Sequence, residues 1–82
     1  MKIVKISILG CPSCIVMNKV FNKIKEKYEF EYEEYDYDFD DTEKYNPGKT
    51  MPVYIFYKDG KEIARLCGEK KEEDFERILN NE

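Results

Sequence analysis

The chain has 82 residues, enough for one domain around one modest core, and its 41% apolar content is enough to build that core. No run approaches the ~20 apolar residues of a membrane span, so no membrane partner is expected; three cysteines, an odd number, argue against a secreted disulfide framework. The net charge of −4 is uneven, with six lysines and one glutamate in the first 27 residues and nine acids with no base between Glu29 and Glu43. That overall sign, with the bases spaced along a helix face, sets nucleic-acid binding aside.

Met1-Lys2-Ile3-Val4-Lys5 enters a strand pattern at once and lacks signal-peptide anatomy, so a cytoplasmic protein is expected. Ile3 to Leu9 reads as a buried strand with both faces covered, interrupted by Lys5 and Ser7. Pro12 suits the first turn of a helix, because its missing N–H is unsatisfied there in any case. Met17, Val20, Phe21, Ile24 and Tyr28 recur at three- and four-residue spacing, and Lys19, Lys23 and Lys27 lie opposite, which predicts an amphipathic helix from about Pro12 to Lys27. Glu29 to Phe39 alternates acidic and aromatic residues, a period-two strand signal, and the phase break at Glu33-Glu34 predicts a bulge or strand end there. Asp41 to Tyr45 is short enough for one helical turn capped by Asp41 or Thr42. Asn46-Pro47-Gly48 reads as a loop; a phosphate-binding loop ending at Lys49-Thr50 is rejected, because Glu43 stands where the first glycine would be and no helix follows.

Val53 to Tyr57 is an apolar strand, and Asp59-Gly60 is a two-residue hairpin signal that leads into a return strand from Glu62 to Leu66. Gly68 ends that strand. Glu69 to Leu79 then reads as a helix with acids in its first turns and Phe75, Ile78 and Leu79 on one face. The order β-α-β-(short α)-β-β-α implies an α/β fold: a four-stranded mixed sheet flanked by helices, its first two strands parallel and its last two antiparallel, in a single domain over residues 1–82.

The chemistry concentrates at Cys11-Pro12-Ser13-Cys14, between the first strand and the first helix. A thiol at a helix start faces free backbone N–H groups and the positive end of the helix dipole, which favour its thiolate. Cys11 can then attack a disulfide, and Cys14, one turn inward, can resolve the mixed disulfide. Pro12 stiffens the turn and Ser13 adds a weak dipole, so both are candidate substrate contacts. The competing reading is half of a zinc or iron–sulfur site; with three cysteines and no histidine a monomer cannot supply four Cys/His ligands, though a dimer could share a cluster. Met51-Pro52 sharpens the redox reading, because a proline opening an apolar strand is awkward unless its peptide bond is cis. A cis bond would turn the Met51 backbone toward the cysteines, where it could pair with an extended substrate. Cys67, at the end of the return strand, reads as a small buried apolar side chain, with a third reactive thiol as the alternative.

With these marks over nearly its whole length, the chain resembles the thioredoxin superfamily, and within it the small thioredoxin/glutaredoxin-like proteins of microbes. The marks are Cys11-Pro12-Ser13-Cys14 after the first strand, Met51-Pro52 before the third, the hairpin at Asp59-Gly60 and Gly68 after the fourth. The resemblance implies a thioredoxin-like fold, with Cys11 as nucleophile, Cys14 as resolving thiol and Pro52 as the cis-proline of a substrate platform. It further implies a monomeric thiol–disulfide oxidoreductase without metal or organic cofactor, reduced by a thioredoxin reductase or by glutathione and acting on disulfide-containing client proteins. Two positions depart from the family pattern. Lys5 stands where thioredoxins carry a buried acid, six residues before the first cysteine, and Cys67-Gly68-Glu69-Lys70-Lys71 lacks the Gly-Gly and following Asp with which glutaredoxins hold glutathione. A glutathione-dependent enzyme and a cluster carrier remain the alternatives.

Overall fold

Side chains alternate between the two faces of the sheet. In a computed structural model, which describes residues 1–80, β1 (Lys2–Ser7) turns Ile3 and Lys5 to one face and Val4 and Ile6 to the other, and all four are buried. It pairs in parallel with β2 (Glu31–Asp36) and antiparallel with β3 (Val53–Lys58), which pairs antiparallel with β4 (Lys61–Cys67), giving the order β2-β1-β3-β4. Two helices, α1 (Pro12–Lys27) and α2 (Glu72–Asn80), complete the fold with one short 3₁₀ turn (Glu43–Tyr45). This is the mixed sheet and element order expected from the sequence.

Met17, Phe21 and Ile24 of α1 meet Phe75 of α2 over Ile3, Tyr54 and Phe56 of the sheet, so both helices cover one face. Val20 and Tyr28 pack at the margin of that cluster, while Lys19, Lys23 and Lys27 stay in solvent as the spacing predicts. On the second face Val4, Ile6, Val53 and Ile55 lie under Tyr35, Tyr45, Met51 and Tyr57.

Four elements have a boundary two or more residues from the expectation, each for a local reason. The first strand ends at Ser7, and Leu9 is 79% exposed, because Gly10 at φ 82° turns the chain toward α1. The second strand ends at Asp36, whose side-chain carboxylate accepts from the N–H groups of Asp38 and Phe39 and curls the chain away. The short turn is 3₁₀ and covers Glu43–Tyr45; Asp41 supplies its side-chain bond, to Glu43 N–H, while Thr42 occupies the cap position without one. The last helix begins at Glu72, three residues later than expected, because Asp74 reaches back to accept the Lys71 N–H and fixes the first turn there.

The bulge expected at Glu33-Glu34 is absent: the β1–β2 register runs unbroken from Lys2↔Glu31 to Ser7↔Asp36. The phase break has another cause. Glu34 pairs across from Lys5 and shares its face of the sheet, whereas Glu33 and Tyr35 lie on the other. The register shift of this sheet falls instead between Phe56 and Tyr57, opposite β4. The hairpin is as expected, with Asp59 at φ 53° and Gly60 at φ 79°.

Candidate active site

The end of β1 delivers the chain to Ile8-Leu9-Gly10, a turn closed by a hydrogen bond from Cys11 N–H to Ile8 carbonyl at 3.3 Å. Cys11 is the N-cap of α1, with extended backbone (φ −81°, ψ 117°), and Pro12 occupies the first helical turn. An N-cap side chain normally accepts from a backbone N–H of the first turn. Here that acceptor is sulfur: Cys14 N–H donates to Cys11 Sγ at 3.3 Å. Cys14 is buried, whereas Cys11 is part-exposed, and both are free thiols, as is Cys67.

This geometry drives the two thiols apart. Cys11 is held below the ordinary thiol range, chiefly because the Cys14 thiol donates to its sulfur; desolvation opposes this, the backbone N–H groups of Cys14 and Ser13 add to it, and the carboxylate of Glu69 acts against it. Cys14 is pushed up, first by burial, then by its bond to Cys11 and by the charge on Cys11; the Ile8 backbone and the ammonium of Lys5 act the other way. The part-exposed thiol is thus shifted toward its thiolate, and the buried one toward its protonated form.

The Met51–Pro52 bond is cis, as the sequence reading anticipated. Val53 pairs with Ile6, so Met51-Pro52 lies beside the segment that leaves β1 for Cys11. Pro52 is buried and its carbonyl accepts from Gly68 N–H at 2.9 Å, while Met51 is part-exposed. Pro12 is exposed and Ser13 part-exposed on the same helix start. The structure thus gathers Cys11, Pro12, Ser13, Cys14, Met51 and Pro52 at the C-terminal end of β1. Cys67 pairs with Val53 at the same end, but packs with the second-face cluster of Val4, Ile6 and Ile55.

A broad groove lined by Met1, Lys2, Phe30, Tyr45, Tyr57 and Gly60 lies at the opposite end of the strands and contains no thiol. The sequence singles out Lys5 at the position of the family's buried acid but not the partners that hold it. Lys5 Nζ bonds Asn18 Oδ1 and lies 3.1 Å from Glu34 Oε1; Tyr54, fully buried, sits across from Lys5 on β3. A lysine inside an apolar strand was the available signal, since a buried cation requires partners.

No protein-family model and no curated protein sequence matches the chain. Solved structures do. A thioredoxin of Fasciola hepatica is 30% identical with a TM-score of 0.79, the match covering 99% of this chain and 80% of that one. A thioredoxin of Nicotiana alata is 30% identical with a TM-score of 0.81, covering 96% of this chain and 70% of that one. The reduced thioredoxin pre-protein of Schistosoma mansoni superposes with a TM-score of 0.84 at 23% identity, over 98% of this chain and 76% of that one. The fold and the cysteine pair at the head of α1 define a thioredoxin-like protein, and the chain belongs to the thioredoxin superfamily. These likenesses support a general role in thiol–disulfide oxidoreduction.

Proposed function

We propose that the protein is a cytoplasmic dithiol–disulfide oxidoreductase in which Cys11 attacks and Cys14 resolves. The observation that carries this reading is the N-cap sulfur: Cys11 Sγ accepts from Cys14 N–H at 3.3 Å and is the more accessible, acid-shifted member of the pair. The Cys11 thiolate attacks one sulfur of a client disulfide, and the other client sulfur leaves and takes up a proton. Cys14 then attacks Cys11 Sγ, closing the Cys11–Cys14 disulfide and releasing the second client thiol. Two electrons pass to the client, and a thiol reductant restores the pair. Exposed Pro12, part-exposed Ser13 and part-exposed Met51 beside Pro52 offer a client segment a surface to lie along.

The reductant is a thioredoxin reductase in this reading. Turnover of insulin disulfides with a thioredoxin reductase and NADPH, and none with glutathione, is the expected result. Activity with glutathione alone would select the glutathione-dependent alternative, and a visible absorbance band on anaerobic purification would select the cluster carrier. Cys11→Ser abolishes turnover on this account; surviving activity would sink it.

A further inference from the structure

The buried charge that this chemistry leaves unused is Lys5. It lies mid-strand on the α1 face of the sheet, between Ile3 and Ser7, and is only 7% exposed. Strand register surrounds it with polar neighbours, Glu34 directly across on β2 and Tyr54 directly across on β3. A row of carboxylate, ammonium and phenol therefore crosses this face of the sheet. Lys5 Nζ donates to Asn18 Oδ1, lies 3.1 Å from Glu34 Oε1, and sits 5.6 Å from the centre of the Phe21 ring. Asn18 and Phe21 follow Cys14 by four and seven residues, so they continue the helix stripe that Cys14 begins. The ammonium is thus held by a side chain one helical turn after the buried thiol. Tyr54 closes the row, its hydroxyl 3.5 Å from the Met17 carbonyl. Burial raises its titration, and the charges of Cys14 and Glu34 raise it further, so it faces both groups as a neutral phenol.

We propose that Lys5 is a positioning residue for the resolving step: its ammonium, held by Asn18 and Glu34, favours the thiolate of Cys14 over its thiol, and Glu34 weakens that field by neutralising part of it. In the step itself the Cys14 thiol gives its proton to water. The thiolate attacks Cys11 Sγ, the Cys11–Cys14 bond forms, the bond from Cys11 to the client sulfur breaks, and the client leaves as a thiolate that takes up a proton. The other groups acting on the pair are the Cys11 thiolate and the Ile8 backbone at the head of α1, with Glu69 bearing on Cys11 from beyond β4. Of these, Lys5 is the cation that bears on Cys14, whose burial opposes its ionisation.

This inference rests on the dithiol reading, and its test separates the two. In a Cys67→Ser background, reduced protein mixed with an equimolar aromatic disulfide (Ellman's reagent) releases one coloured thiolate when Cys11 attacks and a second when Cys14 resolves. The second phase is followed from pH 6 to 10. Lys5→Met displaces its pH profile upward and slows it roughly two- to fivefold at neutral pH, the loss of thiolate being partly offset by the greater nucleophilicity of a more basic sulfur. Glu34→Gln displaces the profile downward and accelerates the phase, and Lys5→Arg restores the wild-type profile. Profiles of Lys5→Met and Glu34→Gln that superimpose on the wild type, or move in the same direction, would overturn the proposal, as would a Lys5→Met shift that arginine does not reverse. If Lys5→Met does not fold, Glu34→Gln decides alone, and an unmoved profile overturns the role. A second phase that persists in Cys14→Ser would instead contradict the dithiol mechanism.

Discussion

At the scale of the residue, the site works by giving two identical side chains opposite environments. Cys11 at the N-cap is lowered and Cys14 beneath it is raised. A lowered value means the thiolate persists as pH falls until the pH passes below that value; a raised value means the thiol persists as pH rises. Iodoacetamide at neutral pH therefore modifies Cys11 in the reduced protein and spares Cys14, which peptide mass mapping would show; equal labelling would contradict the asymmetry. Glu69 is the charge that opposes the Cys11 thiolate, so Glu69→Gln should shift the alkylation profile of Cys11 to lower pH. The shift should shrink in 1 M salt, because both groups meet solvent and the Debye length falls to about 3 Å. The cysteine spacing, Pro12 and Pro52 were legible in the sequence because their chemistry is local. Glu69, Asn18 and Glu34 were not, because their relation to the thiols depends on a helix turn and a strand register that no local pattern specifies.

At the scale of the element, the turns with fixed backbone demands were the legible ones. Asp59-Gly60 and Gly68 announced themselves, and all three residues have positive φ. Gly60→Ala should cost about 1 kcal/mol, the ordinary penalty for a left-handed alanine, since no atom lies within 4 Å of the added carbon. Gly68→Ala should cost more, because its added carbon would stand 3.1 Å from Thr50 Cγ2, in the loop that leads to Met51-Pro52. Urea denaturation of the two variants checks the order; Gly60→Ala as the more damaging would contradict it. The edges of β2 and α2 were misjudged for a common reason. Asp36 and Asp74 each use a side-chain carboxylate to redirect the backbone, and an acid that caps looks in sequence like an acid that is merely solvated. The Glu33-Glu34 phase break was real but misread, since it records the demand of Lys5 for a partner rather than a bulge.

At the scale of the whole molecule, one aromatic cluster ties the sheet to both helices. Phe75 is the fully buried residue of α2, and its ring lies 4.9 Å from that of Tyr54, 5.8 Å from Phe56 and 6.2 Å from Phe21. The ion pairs of Lys23 and Lys27 with Glu72 and Glu76 also join α1 to α2, but their exposure makes them minor. Phe75→Ala should therefore cost about 3–5 kcal/mol, a large share of the ~5–15 kcal/mol that holds a small domain together. A loss below about 1 kcal/mol in denaturant titration would show that α2 is not anchored by this ring. The apolar strand runs and the stripe of α1 were readable in the sequence, which is why the fold was legible before its packing was.

The central claim is that Cys11 forms the covalent intermediate and Cys14 releases it. The most direct measurement is mass spectrometry of the Cys14→Ser variant after reaction with a disulfide-bonded client. A stable mixed disulfide is expected at Cys11, absent from the Cys11→Ser variant and resolved in the wild type. An adduct at Cys67 in place of Cys11, or no trapped adduct at all, would contradict it.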